Sequence, residues 1–147
     1  MVHTIYTIGT QGMKDDVFIA LLKKHEVDAV IDIRLRNEGR YYRFASGKHI
    51  AALMEAHGIA YRHDTRFAPT AEMLGRFKTD HDWSAYEQAY RTLINQLDMA
   101  RLWREMTSQF VRPCLLCAEK TANQCHRRLL GEHLAGANNT ALSHITL

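Results

Sequence analysis

Residues 114–128, CLLCAEKTANQCHRR, bring several chemically reactive side chains together. They include a carboxylate, a thiol, an imidazole and cations: Glu119, Lys120, Cys125, His126 and Arg127. The apolar segment 111–118, the polar turn 119–124 and the amphipathic run from residue 125 are typical of a buried strand, a loop and a helix. In an open α/β sheet such a junction lies at the carboxyl ends of the strands, where ligands bind. Arginines and unpaired backbone N–H groups at the helix start favour an anion there.

A zinc site is an alternative interpretation of the same stretch, because Cys114 and Cys117 form a CxxC and Cys125 precedes His126. The first two cysteines are three residues apart on a predicted strand, so their side chains should point to opposite faces. No second CxxC or spaced histidine pair completes a tetrahedral set of ligands. We therefore predict neither a metal nor a cofactor.

Two other predicted strands end in residues that belong at the same edge of the sheet. Residues 3–8 form a strand broken by Gly9, where a ligand can approach the backbone closely. Residues 27–33, VDAVIDI, are typical of a buried parallel strand that Asp32 and Arg34 close. These two side chains should point to the same face. They form either a structural ion pair or a substrate contact.

Residues 36–43, RNEGRYYR, interleave arginines with tyrosines. In a groove that binds nucleotides or nucleic acid, rings such as Tyr42 stack on bases while guanidinium groups such as Arg40 contact phosphate. The alternative is an exposed loop whose aromatic rings pack back on the core. The pattern is compatible with both.

The remaining elements follow from hydrophobic periodicity and from cap and turn residues. We predict helices from residue 15 or 16, over 48–57, over 71–78 with Thr70 as N-cap, along 83–110 with a bend near Asp98, and over 125–134, ending at Gly136 or Asn138-Asn139. We predict strands over 59–63, 112–117 and 141–147. Tyr86 and Arg91 of the long helical run could reach the site. Right-handed crossovers make this order a three-layer α/β/α sandwich with a mostly parallel central sheet, Rossmann-like and of one domain over 1–147.

Composition agrees with one globular domain of 147 residues, since 46% are hydrophobic and 24% charged. No apolar run is long enough to cross a bilayer and no signal peptide is recognisable, so we expect a cytoplasmic protein without membrane partners. The odd number of cysteines indicates reduced thiols. The net charge of +3 is too small to indicate a nucleic-acid-binding protein by itself.

The motif Cys117-Ala118-Glu119-Lys120, followed after four residues by Cys125-His126-Arg127, resembles the signature of the domain of unknown function 488 family. Three further landmarks match in order: Thr7-Ile8-Gly9, Asp32-Ile33-Arg34 and Gly58-Ile59-Ala60-Tyr61. The resemblance covers nearly the whole chain and implies a compact α/β fold, but the family's name assigns no activity. Ala68-Pro69-Thr70 stands where many members have Gly-Gly, which indicates a branch of the family.

The leading functional hypothesis is hydrolysis of a nucleotide or nucleic acid at an N-glycosidic bond. Glu119 or Asp32 would activate water or stabilise a cationic sugar, while Arg34 and Arg127 hold phosphate. Gly9, Arg40, Tyr42, Lys120 and His126 complete the expected substrate contacts.

Three alternatives remain open. One is a thiol-dependent enzyme that uses Cys125, whose pKa the helix dipole would lower, although the adjacent His126 cannot be assumed to be its base. Another is a non-catalytic nucleotide or nucleic-acid binding module with salt-dependent affinity. The third is a structural role, in which Glu119 pairs with Arg127 or Arg34 and the cysteines only pack. The sequence does not indicate an oligomeric state.

Overall fold

The computed structural model describes residues 1–119 and 121–147. A five-stranded sheet forms its centre, with the order β3-β2-β4-β1-β5 and every pair parallel. The strands are β1 (Thr4–Gly9), β2 (Ala29–Asp32), β3 (Ala60–His63), β4 (Pro113–Cys117) and β5 (Ala141–His144). The predicted three-layer α/β/α fold is confirmed.

Helices cover both faces of the sheet. In chain order they are α1 (Asp15–Lys24), α2 (Gly47–Ala56), α3 (Ala71–Asp80), α4 (Trp83–Gln96), α5 (Met99–Thr107) and α6 (His126–Asn138). Apolar side chains of α1 and α2 pack on one face of the sheet, and those of α4, α5 and α6 pack on the other. Cys114 belongs to the first core and Cys117 to the second, so the two thiols point to opposite faces as predicted.

Local signals account for most boundaries. The Thr70 hydroxyl accepts a hydrogen bond from the Met73 N–H at 3.2 Å and begins α3, as its N-cap role predicts. Asp98, with φ of 47°, separates α4 from α5 at the predicted bend. Of the two stop signals predicted for the last helix, Asn138-Asn139 is the observed one, because α6 continues through Gly136 to Asn138 and ends at the left-handed Asn139. A glycine on an exposed helix face costs only about 1 kcal/mol, which packing elsewhere on α6 outweighs.

The arginine- and tyrosine-rich segment is more regular than the loop expected from its sequence. Residues Arg40–Ala45 form a 3₁₀ helix that leads into α2. Its Tyr41 ring is exposed, while the rings of Tyr42 and Phe44 pack against the core below α1 and α2. The packing of Tyr42 and Phe44 agrees with the second alternative for this segment, and the nucleotide-binding groove stays a prediction.

The three central strands bring the predicted site residues to one edge. Gly9 of β1 lies opposite Cys117 of β4, and Asp32 of β2 lies opposite Leu116 of the same strand. Ligands bind at this carboxyl edge in open α/β sheets. Within the described residues, no helix is both long and apolar enough to cross a membrane.

Candidate functional site

A cleft of about 480 Å³ opens at the carboxyl edge of the sheet. Its floor contains Cys117, Cys125 and His126, and α3 supplies one wall. Cationic, aromatic and acidic residues also line the cleft: Arg34, Arg36, Tyr42, Phe77, Lys78, Tyr86 and Glu119.

Two thiols from different elements meet at the floor of this cleft. Cys117 is the last residue of β4, and Cys125 occupies the N-cap position of α6. Their sulfur atoms lie 2.9 Å apart, and each side chain is nearly inaccessible to solvent. The β4–α6 connection thus places a hydrogen-bonded thiol pair at the bottom of an open pocket.

Arg127 completes the cluster from behind the floor. Its side chain is fully buried, and Nη1 donates to Cys117 Sγ at 2.9 Å and to the Glu119 carbonyl oxygen at 2.5 Å. Nε donates to the Thr7 hydroxyl at 3.3 Å. The positive charge of a buried guanidinium favours negative charge on a neighbouring sulfur, so Arg127 lowers the pKa of Cys117.

The cluster gives the three cysteines different acidities. Burial alone raises the pKa of Cys117, but the hydrogen bond from Cys125 and the charge of Arg127 bring it below its ordinary value. Burial and the neighbouring Cys117 sulfur raise the pKa of Cys125 well above normal. Burial also raises the pKa of Cys114 on the other face of the sheet. Cys117 is therefore the more acidic of the two thiols, and its sulfur can accept a hydrogen bond from Cys125.

His126 borders the thiol pair as a neutral imidazole. Burial lowers its pKa to about 4. Its Nε2 lies 3.0 Å from the Ile33 carbonyl oxygen, which can only accept, so this nitrogen carries the proton. Nδ1 is then an acceptor, 3.9 Å from Cys125 Sγ. The sequence argument that adjacent helical residues diverge did not anticipate this contact, because Cys125 has extended backbone rather than helical geometry.

Asp32 and Arg34 form the ion pair that the sequence left as one of two options. Arg34 Nη2 lies 2.7 Å from Asp32 Oδ2, and Nε lies 2.8 Å from Oδ1. Asp32 also accepts from Tyr61 Oη at 2.6 Å and from Asn37 Nδ2 at 3.2 Å. Burial would raise the pKa of Asp32, but Arg34 and the Tyr61 hydroxyl lower it. Asp32 is fully buried and does not line the cleft, contrary to the expected second carboxylate there.

Arg34 itself reaches the cleft. The guanidinium is 4% exposed, stacks 4.9 Å from the centre of the Tyr42 ring, and retains an Nη1 without a hydrogen-bond partner among the described residues. An unpaired buried N–H is costly, so this atom is suited to an anionic ligand group.

The other predicted contacts divide between the cleft wall and the layer beneath it. The Glu119 side chain is exposed and lines the cleft, whereas Arg127 and Gly9 lie below it. Gly9 faces the backbone carbonyl of Glu119, so the missing side chain makes room for the Glu119 backbone and not for a ligand. Arg40 is exposed outside the cleft. Lys120 lies outside the described residues.

Sequence reasoning missed Cys117 as a partner of Cys125. The available signal was their position, since one ends a strand and the other begins the next helix at the same sheet edge. It also missed the contact of Tyr61 with Asp32, since Tyr61 was noted only as part of a family landmark, and it missed Lys78, which belongs to no motif. Tyr86 lines the cleft as anticipated, whereas Arg91 instead pairs with Glu87.

Comparison with protein families agrees with this architecture. The model described as Domain of unknown function DUF488 matches residues 14–134. The chain belongs to this family. Comparison with curated proteins finds no match, and comparison with solved structures finds none. In the part of the chain that the structure describes, no group of three or more His, Cys, Asp or Glu side chains is arranged to hold a metal ion. Cys117, Cys125, His126 and Arg127, from the two motifs that carry the family resemblance, meet in this structure.

Proposed function

We propose that this DUF488 protein is a thiol-dependent enzyme whose Cys117 thiolate attacks an anionic substrate bound in the cleft. The observation that carries the proposal is the contact of Cys117 with both Cys125 and the buried Arg127 at the cleft floor. A thiolate, and not a thiol, is the nucleophile in cysteine chemistry. All three cysteines are free, which suits a reducing compartment such as the cytoplasm.

The walls of the cleft favour a negatively charged substrate. Arg34 offers its unpaired Nη1, and Arg36 and Lys78 add two cations, against the single carboxylate of Glu119 among the described lining residues. Charge of one sign in a cleft raises the local concentration of oppositely charged ligands. The substrate is therefore expected to carry a phosphate, carboxylate or sulfonate group.

Aromatic side chains indicate a further feature of the substrate. The rings of Phe77 and Tyr86 lie on the cleft wall with their centres 5.1 Å apart. Such rings stack readily on planar groups. An anion that also carries a flat ring, as a nucleotide does, matches both the charge and the shape of these walls.

Alkylation with a matched pair of reagents tests the proposal. Iodoacetate is anionic and iodoacetamide neutral, and peptide mapping identifies the modified cysteine. The ratio of the iodoacetate rate to the iodoacetamide rate should be about tenfold higher for Cys117 than for a free thiol at low salt. Lys78→Ala should reduce this preference, whereas Cys114→Ala, a control on the opposite face, should leave it unchanged. Modification of Cys117 no faster than Cys114 would exclude the proposal.

Hydrolysis of a nucleotide by Glu119 is the second candidate. It draws support from the position of this carboxylate at a cleft with cationic and aromatic walls. Thermal shifts with a nucleoside monophosphate, its nucleoside and inorganic phosphate should be compared in wild type and Glu119→Gln. Turnover by wild type alone, with binding by both, would favour the hydrolase. Equal stabilisation of both without turnover would favour a binding module, and loss of thermal stability in the variant would favour a structural role.

A further inference from the structure

We propose that Cys117 and Cys125 form a disulfide during turnover, so that the protein reduces an anionic disulfide substrate by two electrons. The inference rests on the proposed function, because it takes Cys117 as the nucleophile of the same cleft. It adds a second catalytic residue, Cys125, and a substrate class.

The positions of the sulfur atoms suit this reaction. They already lie 2.9 Å apart, and a disulfide bond requires about 2.05 Å. Both residues line the cleft, so an adduct on Cys117 would form beside Cys125. Cys114 points to the opposite face of the sheet and is excluded from the exchange.

Arg127 provides a reason for the second thiol to become reactive only after the first. Its Nη1 lies 2.9 Å from Cys117 Sγ and 3.7 Å from Cys125 Sγ. While Cys117 is a thiolate, its charge and hydrogen bond help keep the pKa of Cys125 high. Once Cys117 is bonded to substrate that charge is lost, and the guanidinium can stabilise a thiolate on Cys125.

The reaction balances as thiol–disulfide exchange. The Cys117 thiolate attacks one sulfur of the substrate R–S–S–R, breaks its S–S bond and releases RS⁻, which takes the proton of Cys125. The Cys125 thiolate then attacks Cys117 Sγ, forms the protein disulfide and expels the second RS⁻. The substrate is reduced to two thiol products while the protein dithiol is oxidised. An external dithiol must reduce the protein for the next turnover.

Two chromogenic disulfides provide the probes: dithiobis(nitrobenzoate), which is an aromatic dianion, and neutral dithiodipyridine. Wild type should release two chromophores per chain from the anionic probe and end as a Cys117–Cys125 disulfide without bound probe. Cys125→Ser should release one chromophore and retain the other as a mixed disulfide on Cys117. Cys117→Ser should not react in the cleft, and Cys114→Ala should behave as wild type.

The outcomes separate the two proposals. A stable mixed disulfide on Cys117 in wild type would overturn the dithiol inference while leaving Cys117 as the nucleophile. No reaction of Cys117 with either probe or with iodoacetamide would overturn the proposed function as well. The ratio of the rate with the anionic probe to the rate with the neutral probe should be about tenfold higher for wild type than for a free thiol. Lys78→Ala should reduce this ratio. Equal relative rates would overturn the anionic substrate class.

Discussion

Two aspartate–arginine pairs of the same sequence spacing allow the role of Asp32 to be measured. Asp32–Arg34 and Asp64–Arg66 have N–O distances of 2.7 and 2.6 Å. The first pair is buried, with Arg34 4% exposed, whereas Arg66 is 58% exposed. Replacing one partner of a buried pair costs about 3–5 kcal/mol because it leaves an uncompensated charge. An exposed pair contributes at most about 1 kcal/mol. Asp32→Asn should thus destabilise the protein several times more than Asp64→Asn.

Urea unfolding followed by the fluorescence of the buried Trp103 measures both losses. The double variant Asp32→Asn with Arg34→Met should be more stable than Asp32→Asn alone, because it also removes the buried positive charge of Arg34 that has lost its partner. If Asp32→Asn and Asp64→Asn cost equally little, the Asp32 pair is not structural. Asp32 would then return as a candidate for substrate contact or catalysis.

Two further predictions concern the layer around the thiols. Burial lowers the pKa of His126 to about 4, against about 6.5 in the unfolded chain. The unfolded state therefore binds more protons between these pH values, so stability should rise by about 3 kcal/mol from pH 4 to pH 7. His126→Gln should remove this part of the pH dependence in urea unfolding; an unchanged dependence would refute a neutral buried His126. Gly9→Ala should destabilise strongly, because a Cβ would overlap the Glu119 carbonyl, whereas Gly136→Ala, in open space on α6, should be neutral or stabilising. Equal thermal stability of the two variants would contradict the packing at Gly9.

The sequence was sufficient for the fold because its local signals agree with one another. Apolar runs, cap residues such as Thr70 and a glycine after α2 mark most elements to within a few residues. Parallel strands with right-handed crossovers then leave few topologies. The last helix was predicted too short, over 125–134, although Asn138-Asn139, the later of its two predicted stop signals, marks the observed end.

The site was predictable in its location but not in its pairings. Strand ends identified the correct edge for Asp32, Glu119 and Cys125. Which side chains face the cleft depends on tertiary contacts that have no sequence signal. Asp32 turns to Arg34 and Tyr61 because a buried carboxylate must be paired. Cys117 was not named as a candidate site residue, because its partner Cys125 comes from another element.

The pH dependence of Cys117 alkylation by iodoacetamide tests the central claim most directly, with Cys125→Ala measured in parallel. The neutral reagent avoids the charge of the cleft walls, and peptide mapping separates Cys117 from Cys114. The contact between the two thiols predicts that the alkylation rate of wild-type Cys117 has its pH midpoint below the ordinary thiol pKa of about 8.5. Cys125→Ala lacks the hydrogen bond to Cys117, so its midpoint should be higher. A wild-type midpoint at or above 8.5 that Cys125→Ala leaves unchanged would contradict a stabilised Cys117 thiolate.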